Sequence, residues 1–150
     1  SEANLRQQYE RGFNSVTILR FGIIYGSRKN NWSAVESIFD TVKNSDEVTV
    51  GSLKNGRRFI HVADISDGII KAIGLKGFNV INLSGEEIIT MHDIIETSQK
   101  ILGKTVKIIE NNASTINIRN PSNNKAKTLL NWKPKILFSE GLKSLKDYLE

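Results

Sequence analysis

The chain carries 150 residues, 39% hydrophobic and 25% charged, the proportions of an ordinary water-soluble protein with one domain and one core. Its longest apolar run, VTILRFGIIY, is interrupted by Arg20 and falls short of a membrane span, and the mixed-charge start SEANLRQQYERG reads as neither a signal nor a transit peptide. Cysteine is absent, which excludes disulfides, thiolate catalysis and cysteine metal centres and fits a cytoplasmic setting, while the net charge of +5 is scattered rather than gathered into a nucleic-acid-binding run.

Residues 2–11 are expected to form a helix with Leu5 and Tyr9 on one face and Gly12 as its stop. SVTILRFGIIYG follows as a β-branched run apolar on both faces, the pattern of an interior strand in a parallel sheet. After the polar loop GSRKNN, Val35, Ile38, Phe39 and Val42 recur at helical spacing, so WSAVESIFDTVKN reads as an amphipathic helix. EVTV is a short strand, and the turn signals of GSLKNG lead into a second, RRFIHV. Asp64 is placed to cap the next helix, whose apolar face is Ile65, Ile69, Ala72 and Ile73.

FNVINLSG is another strand of buried type. Thr90 and Asp93 stand at capping-box spacing and open the helix HDIIETSQKILG, which Gly103 closes. VKIIE is a short strand, followed by a polar loop and the helix KAKTLLNW, which stops near Asn131 and Pro134. FSEGLKSLKDYLE ends the chain as an amphipathic helix with Leu142, Leu145 and Leu149 inward. Strands alternate with helices, so the class is α/β. The two strands of interior type, around Leu19 and Ile81, have too few companions to flank them, which points to a part of something larger.

Much familiar chemistry is missing. No G-x-G-x-x-G or G-x-x-x-x-G-K-[ST] loop follows a strand, and G-x-S-x-G and H-E-x-x-H do not occur. The two histidines are read as structural: His61 as a packed strand residue, His92 as a solvated first-turn residue. No residues combine into a complete active site or a metal site.

The order TILRFGIIYG, helix, EVTV, GRRFIHVADISDGIIKAI, NVINLSGEEIITMHDII, KAKTLLNWKPK and EGLKSLKDYLE resembles the later half of the extended short-chain dehydrogenase/reductases. More narrowly, it is similar to the NAD-dependent sugar-nucleotide epimerases and dehydratases of the UDP-glucose 4-epimerase kind, over essentially all 150 residues. The resemblance implies a Rossmann-type fold, with residues 1–150 forming late Rossmann strands and the small sugar-nucleotide-binding domain. It places the NAD loop and the catalytic Tyr-x-x-x-Lys pair in a preceding part, so no catalytic residue is assigned here and the chain alone is expected to be inactive. The rival readings are a non-catalytic nucleotide-binding module and part of a related NAD(P)-dependent reductase.

Residue by residue, the resemblance sets Arg57 against the diphosphate of a nucleotide sugar, a role that a permanently charged, forked guanidinium suits. Arg58, by strand alternation, is expected on the opposite face. Phe21, Gly22 and Ile23 match the stretch beside the nicotinamide and the sugar, and Ile23 stands where many members carry Asn. Asn31, Trp32 and Ser33 open the helix beside the nucleotide pocket, with Trp32 open also to a role as core anchor. Val48 and Val50 match the strand along the base, and Arg119 matches a second polar contact to the nucleotide. NLSGE keeps only Gly85 of the family's N-x-G-x-G turn. A homodimer is expected only for the full-length enzyme, with no nucleic-acid or membrane partner.

Overall fold

The computed structural model describes residues 1–30 and 32–149; Asn31, Glu150 and the side chain of Leu149 lie outside that description. The elements are α1 (Glu2–Glu10), β1 (Ser15–Phe21), β2 (Ile23–Tyr25), α2 (Ala34–Asn44), β3 (Glu47–Val50), β4 (Gly56–Arg57), β5 (Phe59–His61), α3 (Val62–Ala72) and β6 (Gly77–Leu83). They continue with β7 (Ile89–Thr90), α4 (Met91–Leu102), β8 (Lys107–Glu110), β9 (Ile118–Arg119), α5 (Asn124–Leu130) and α6 (Phe138–Leu149). The expected α/β alternation is present, with three parallel strand pairs, β1·β6, β2·β5 and β3·β8, and a small mixed sheet ordered β7-β4-β9.

Helix boundaries follow the capping chemistry. Thr90 and Asp93 form the expected capping box at the start of α4, and Gly103 ends that helix in the left-handed conformation. A second capping box, Ser33 with Glu36, opens α2. Asn131, at φ 46°, stops α5.

Several expectations about the strands need correction. The run from Ser15 to Tyr25 is two strands, not one, broken at Gly22. A side chain there would meet the carbonyl oxygen of Arg58 at 2.6 Å and Cβ of Ser84 at 2.9 Å, so the chain passes only as glycine. RRFIHV is likewise split at Arg58: β4 joins the small mixed sheet while β5 pairs with β2. Gly85 meets the same crossing from the other side, where an added Cβ would lie 2.0 Å from the carbonyl oxygen of Phe59. Two-residue strands, β7 and β9, form in segments read as loop or turn.

Asp64 does not cap α3. His61 does, its Nδ1 accepting the N–H of Ala63, while buried Asp64 accepts the N–H groups of Lys135 (3.0 Å) and Ile136 (3.1 Å) and so ties the segment before α6 to α3. The apolar face assigned to α3 also needs revision: Ile65 and Ala72 are buried, but Ile69 and Ile73 are exposed.

The single core expected from length is two. One gathers Val35, Phe39 and Val42 of α2, Val48 and Val50 of β3, Ile94 and Ile95 of α4, and Leu142 and Leu145 of α6. The other gathers Ile65 and Ala72 of α3, Ile81 and Leu83 of β6, Ala126 and Leu130 of α5, and Trp132. The β2·β5 pair separates them. Tyr25 and Phe59 face the first core, and Ile24 and Ile60 the second, as the two-residue period of a strand requires.

Replacing Asp64→Asn keeps the size but turns one acceptor into a donor aimed at a backbone N–H. The expected loss is about 1–3 kcal/mol of stability. A lower urea midpoint at an unchanged slope is the result to look for.

Candidate functional site

Arg57 ends β4, and β9 lies beside it in parallel, so Arg57 and Arg119 are register partners on neighbouring strands. Strands in a sheet lie about 4.8 Å apart, and register partners present their side chains on the same face. Arg57 donates from Nη1 to the carbonyl oxygens of Gly56 (2.7 Å) and Asn117 (2.6 Å), which fixes the guanidinium against main chain and leaves its Nη2 edge without a partner among the described residues. Arg119 is exposed, and its side chain forms no hydrogen bond or ion pair among the described residues. Arg58, at the break between β4 and β5, donates to Oδ1 of Asn120 and to the carbonyl of Gly85 (3.1 Å). Three arginines thus stand around one small sheet, and among the described residues no carboxylate pairs with any of them. Such an arrangement is suited to an anion with several oxygens.

The other expected residues divide. Phe21 and Ile23 flank Gly22 and are 46% and 40% exposed, so they present an apolar wall at the end of β1. Gly22 lies against Arg58 and Ser84, which links that wall to the arginine cluster. Trp32 is 39% exposed, its indole N–H bonded to the carbonyl of Arg28 (2.8 Å), and it is not a core anchor. Ser33 is engaged in its capping box with Glu36. No hydrogen bond joins Trp32 or Ser33 to Arg57 or Arg119 among the described residues. The side chains of Val48 and Val50 point into the first core and are buried. Asn31 falls outside the described residues.

Buried Glu36 is the anchor of the loop between β2 and α2, and sequence reading passed over it. It is 1% exposed and accepts the N–H of Gly26 (3.0 Å) and of Ser33 (2.8 Å), with Nε of Arg28 at 3.1 Å. The signal was available in the S-x-x-E spacing of Ser33 and Glu36.

One Tyr-x-x-x-Lys spacing does occur, from Tyr25 to Lys29. It runs from the end of a strand into a loop, so the two side chains do not share a helix face. Burial, with Asp64 and Glu36 adding to it, pushes the Tyr25 hydroxyl well above its ordinary value, the reverse of what a base requires. Tyr25 is a core residue, edge-on to His61 and tilted against Phe138.

A cavity of about 460 Å³ opens beside β2 and β5, lined by Tyr25, His61, Asp64, Glu87, Lys133 and Leu137 among others. None of the residues expected to bind cofactor or substrate lines it. His92, Asp93 and Glu96 bring potential ligand atoms within 4.8 Å of one another on α4, but Asp93 is held by Thr90 and Glu96 by Lys100.

The residues present do not by themselves fit a dinucleotide. The sequence has no glycine-rich loop after a strand, and Phe21, Gly22 and Ile23 amount to one wall.

Comparison with known proteins brings these observations together. The UDP-glucuronate 4-epimerase of Thermodesulfobacterium geofontis is 26% identical over 132 residues, 85% of this chain and 41% of that protein. UDP-glucuronic acid decarboxylase 3 of Arabidopsis thaliana is 29% identical over 134 residues, again 85% of this chain and 39% of the relative. The chain is similar to part of a UDP-glucuronate 4-epimerase and of several UDP-glucuronic acid decarboxylases. Its fold is that of the extended short-chain dehydrogenase/reductases. The UDP-glucose 4-epimerase of Thermotoga maritima, solved with UDP-glucose, superposes with a TM-score of 0.87 at 22% identity, covering 99% of this chain and 50% of that one. The Bacillus cereus UDP-glucuronic acid 4-epimerase, solved with UDP-glucuronic acid and NAD, gives 0.80 at 26% identity, covering 98% and 49%. No protein-family model matches the chain. The chain spans about two-fifths of the length of these curated relatives and half that of the solved ones, a share that fits the expected C-terminal portion.

His61 supplies a pH signature for this region. Burial holds its imidazole below the ordinary value of 6.5, against an opposing pull from Asp64. A depressed folded value means that the unfolded chain binds the proton first, so stability is full above 6.5 and is lost as pH falls towards the folded value. Protonation at Nδ1 would also remove the acceptor that caps α3. The melting temperature should therefore fall as pH drops below 6.5, and His61→Asn, which caps without titrating, should flatten that part of the profile.

Proposed function

We propose that this chain is the nucleotide-sugar-binding portion of an NAD-dependent epimerase or decarboxylase, with Arg57 and Arg119 gripping the diphosphate. The observation that carries the reading is the parallel register of these two arginines on β4 and β9, without a carboxylate partner among the described residues. Arg57 is pre-set by its bonds to Gly56 and Asn117, so little conformational freedom is lost when an anion arrives. Phe21 and Ile23 form the wall nearest the reacting sugar, and Trp32 and Ser33 begin the helix beside the nucleotide.

In this role the chain contributes positioning: it fixes the charged middle of the substrate so that the sugar is presented to chemistry carried elsewhere. NAD would supply hydride transfer at the sugar carbon. A grip on the diphosphate would serve an epimerase, a dehydratase or a decarboxylase alike, since that part of the substrate is common to all three. The chain alone, lacking both a dinucleotide loop and a base on a helix, would bind without turnover. The whole enzyme would be an isomerase or lyase acting in the cytoplasm, where nucleotide sugars are made. Among the described residues no helix is long and apolar enough to cross a membrane.

Calorimetric titration with UDP and with uridine separates diphosphate grip from base contact. UDP should bind more tightly than uridine. Arg57→Ala should weaken UDP about 10- to 100-fold, the worth of a charge-assisted hydrogen bond, and leave uridine unchanged. Arg119→Ala should act in the same direction. Equal affinity for UDP and uridine in the unaltered chain would defeat the reading.

A further inference from the structure

Gly22 is a point where three segments touch. Its N–H donates to the carbonyl of Leu83 on β6 (2.8 Å), and it lies against the carbonyl oxygen of Arg58 and the side chain of Ser84. Ile23 follows as the first residue of β2 and pairs with Phe59 of β5. Phe59 is two residues past Arg57. Two residues of chain span at most about 7 Å and neighbouring strands lie about 4.8 Å apart, so Arg57 and Ile23 are within about 12 Å, Cα to Cα. An arginine side chain covers much of that gap, so a group joined directly to an anion on Arg57 falls beside Ile23.

The polar side chains around this turn are committed. Arg58 donates to Oδ1 of Asn120 and to the carbonyl of Gly85. Ser84 is fully buried, and its hydroxyl donates to Oδ1 of Asn123 (2.9 Å). Arg20, the neighbour of Phe21 on β1, is paired with Glu2. Ile23 itself stays exposed although the rest of β2 is covered, Tyr25 being buried and Ile24 packed against the second core. What this side chain offers is C–H surface, next to polar groups that have no donor to spare.

We infer that Ile23 makes the sugar subsite select a neutral hexose over a hexuronate. The inference rests on the nucleotide-sugar reading above and names the sugar class for that same site. The C–H edge of a pyranose ring loses no hydrogen bond against Ile23, and burial of apolar surface favours the contact. A carboxylate in the same place gives up water and meets no donor in return. Arg57 and Arg119 do not serve it, because both are given to the diphosphate. The relatives compared above are glucuronate enzymes by name, so similarity to them alone gives the opposite expectation. The selection also narrows the chemistry. Loss of carbon dioxide needs a carboxylate on the sugar, so a subsite that turns the uronate away leaves epimerisation or loss of water.

The test is calorimetric titration of the protein with UDP, UDP-glucose and UDP-glucuronic acid at about 0.15 M salt, where charges more than about 8 Å apart are largely screened. UDP-glucuronic acid should bind about tenfold more weakly than UDP-glucose. Ile23→Thr keeps a branched side chain suited to a strand and adds a hydroxyl donor, so it should close most of that gap; a cooperative melting curve checks that the variant is folded. UDP-glucuronic acid bound as tightly as UDP-glucose, or a gap that folded Ile23→Thr leaves as it was, would overturn the selection and leave the diphosphate grip standing. Failure of the folded protein to bind any of the three would remove the nucleotide-sugar reading, and the selection with it.

Discussion

The pairing of β2 with β5 is the contact on which the rest of the molecule depends. Three register pairs, Ile23 with Phe59, Ile24 with Ile60 and Tyr25 with His61, stand between two hydrophobic cores and serve both. The strand period sends Phe59 one way and Ile60 the other, so the backbone between them is at once the floor of one core and the ceiling of the next. Everything that reaches this wall comes close: Gly22 and Gly85 press main chain against the segment at Arg58 and Phe59, and Asp64, one turn into the helix that follows β5, fastens the segment leading to α6.

The arginine cluster is a product of the same crossing. Because the chain breaks at Arg58, β4 leaves the β2·β5 pair and joins β7 and β9, which brings together residues 57 and 119, far apart in the sequence. At this sheet three of the positive charges scattered along the sequence come together. Carboxylates are spent elsewhere: Glu36 inside the β2–α2 loop, Asp64 under α6, and Asp67 facing two lysines.

Helices were legible in the sequence because capping residues and apolar spacing act locally. The boundaries at Ser33, Thr90, Gly103 and Asn131 all follow from side chains within one turn of the helix end. Strand breaks were not legible, since a glycine or an arginine inside an apolar run looks the same whether the strand continues or crosses. Two-residue strands such as β7 and β9 carry no periodicity at all, and the partnership of Arg57 with Arg119 depends on one of them. Arg57 itself was found through family resemblance, whereas its fixation by the carbonyl of Asn117 needed coordinates. Val48 and Val50 illustrate the opposite case: matching a strand to a family position does not say which way its side chains point, and here both belong to the core.

A wall shared by two cores also governs motion. Domains joined by a flexible linker swing about it, but here Tyr25 and Phe59 close one core and Ile24 and Ile60 the other from the same two strands, and a hinge at this place would open both interiors to water together. The two cores should therefore move as one rigid body, and their unfolding should be a single event rather than two. Any closure around a substrate would then fall to surface loops such as the one that Glu36 anchors, a small and local displacement instead of a swing between halves.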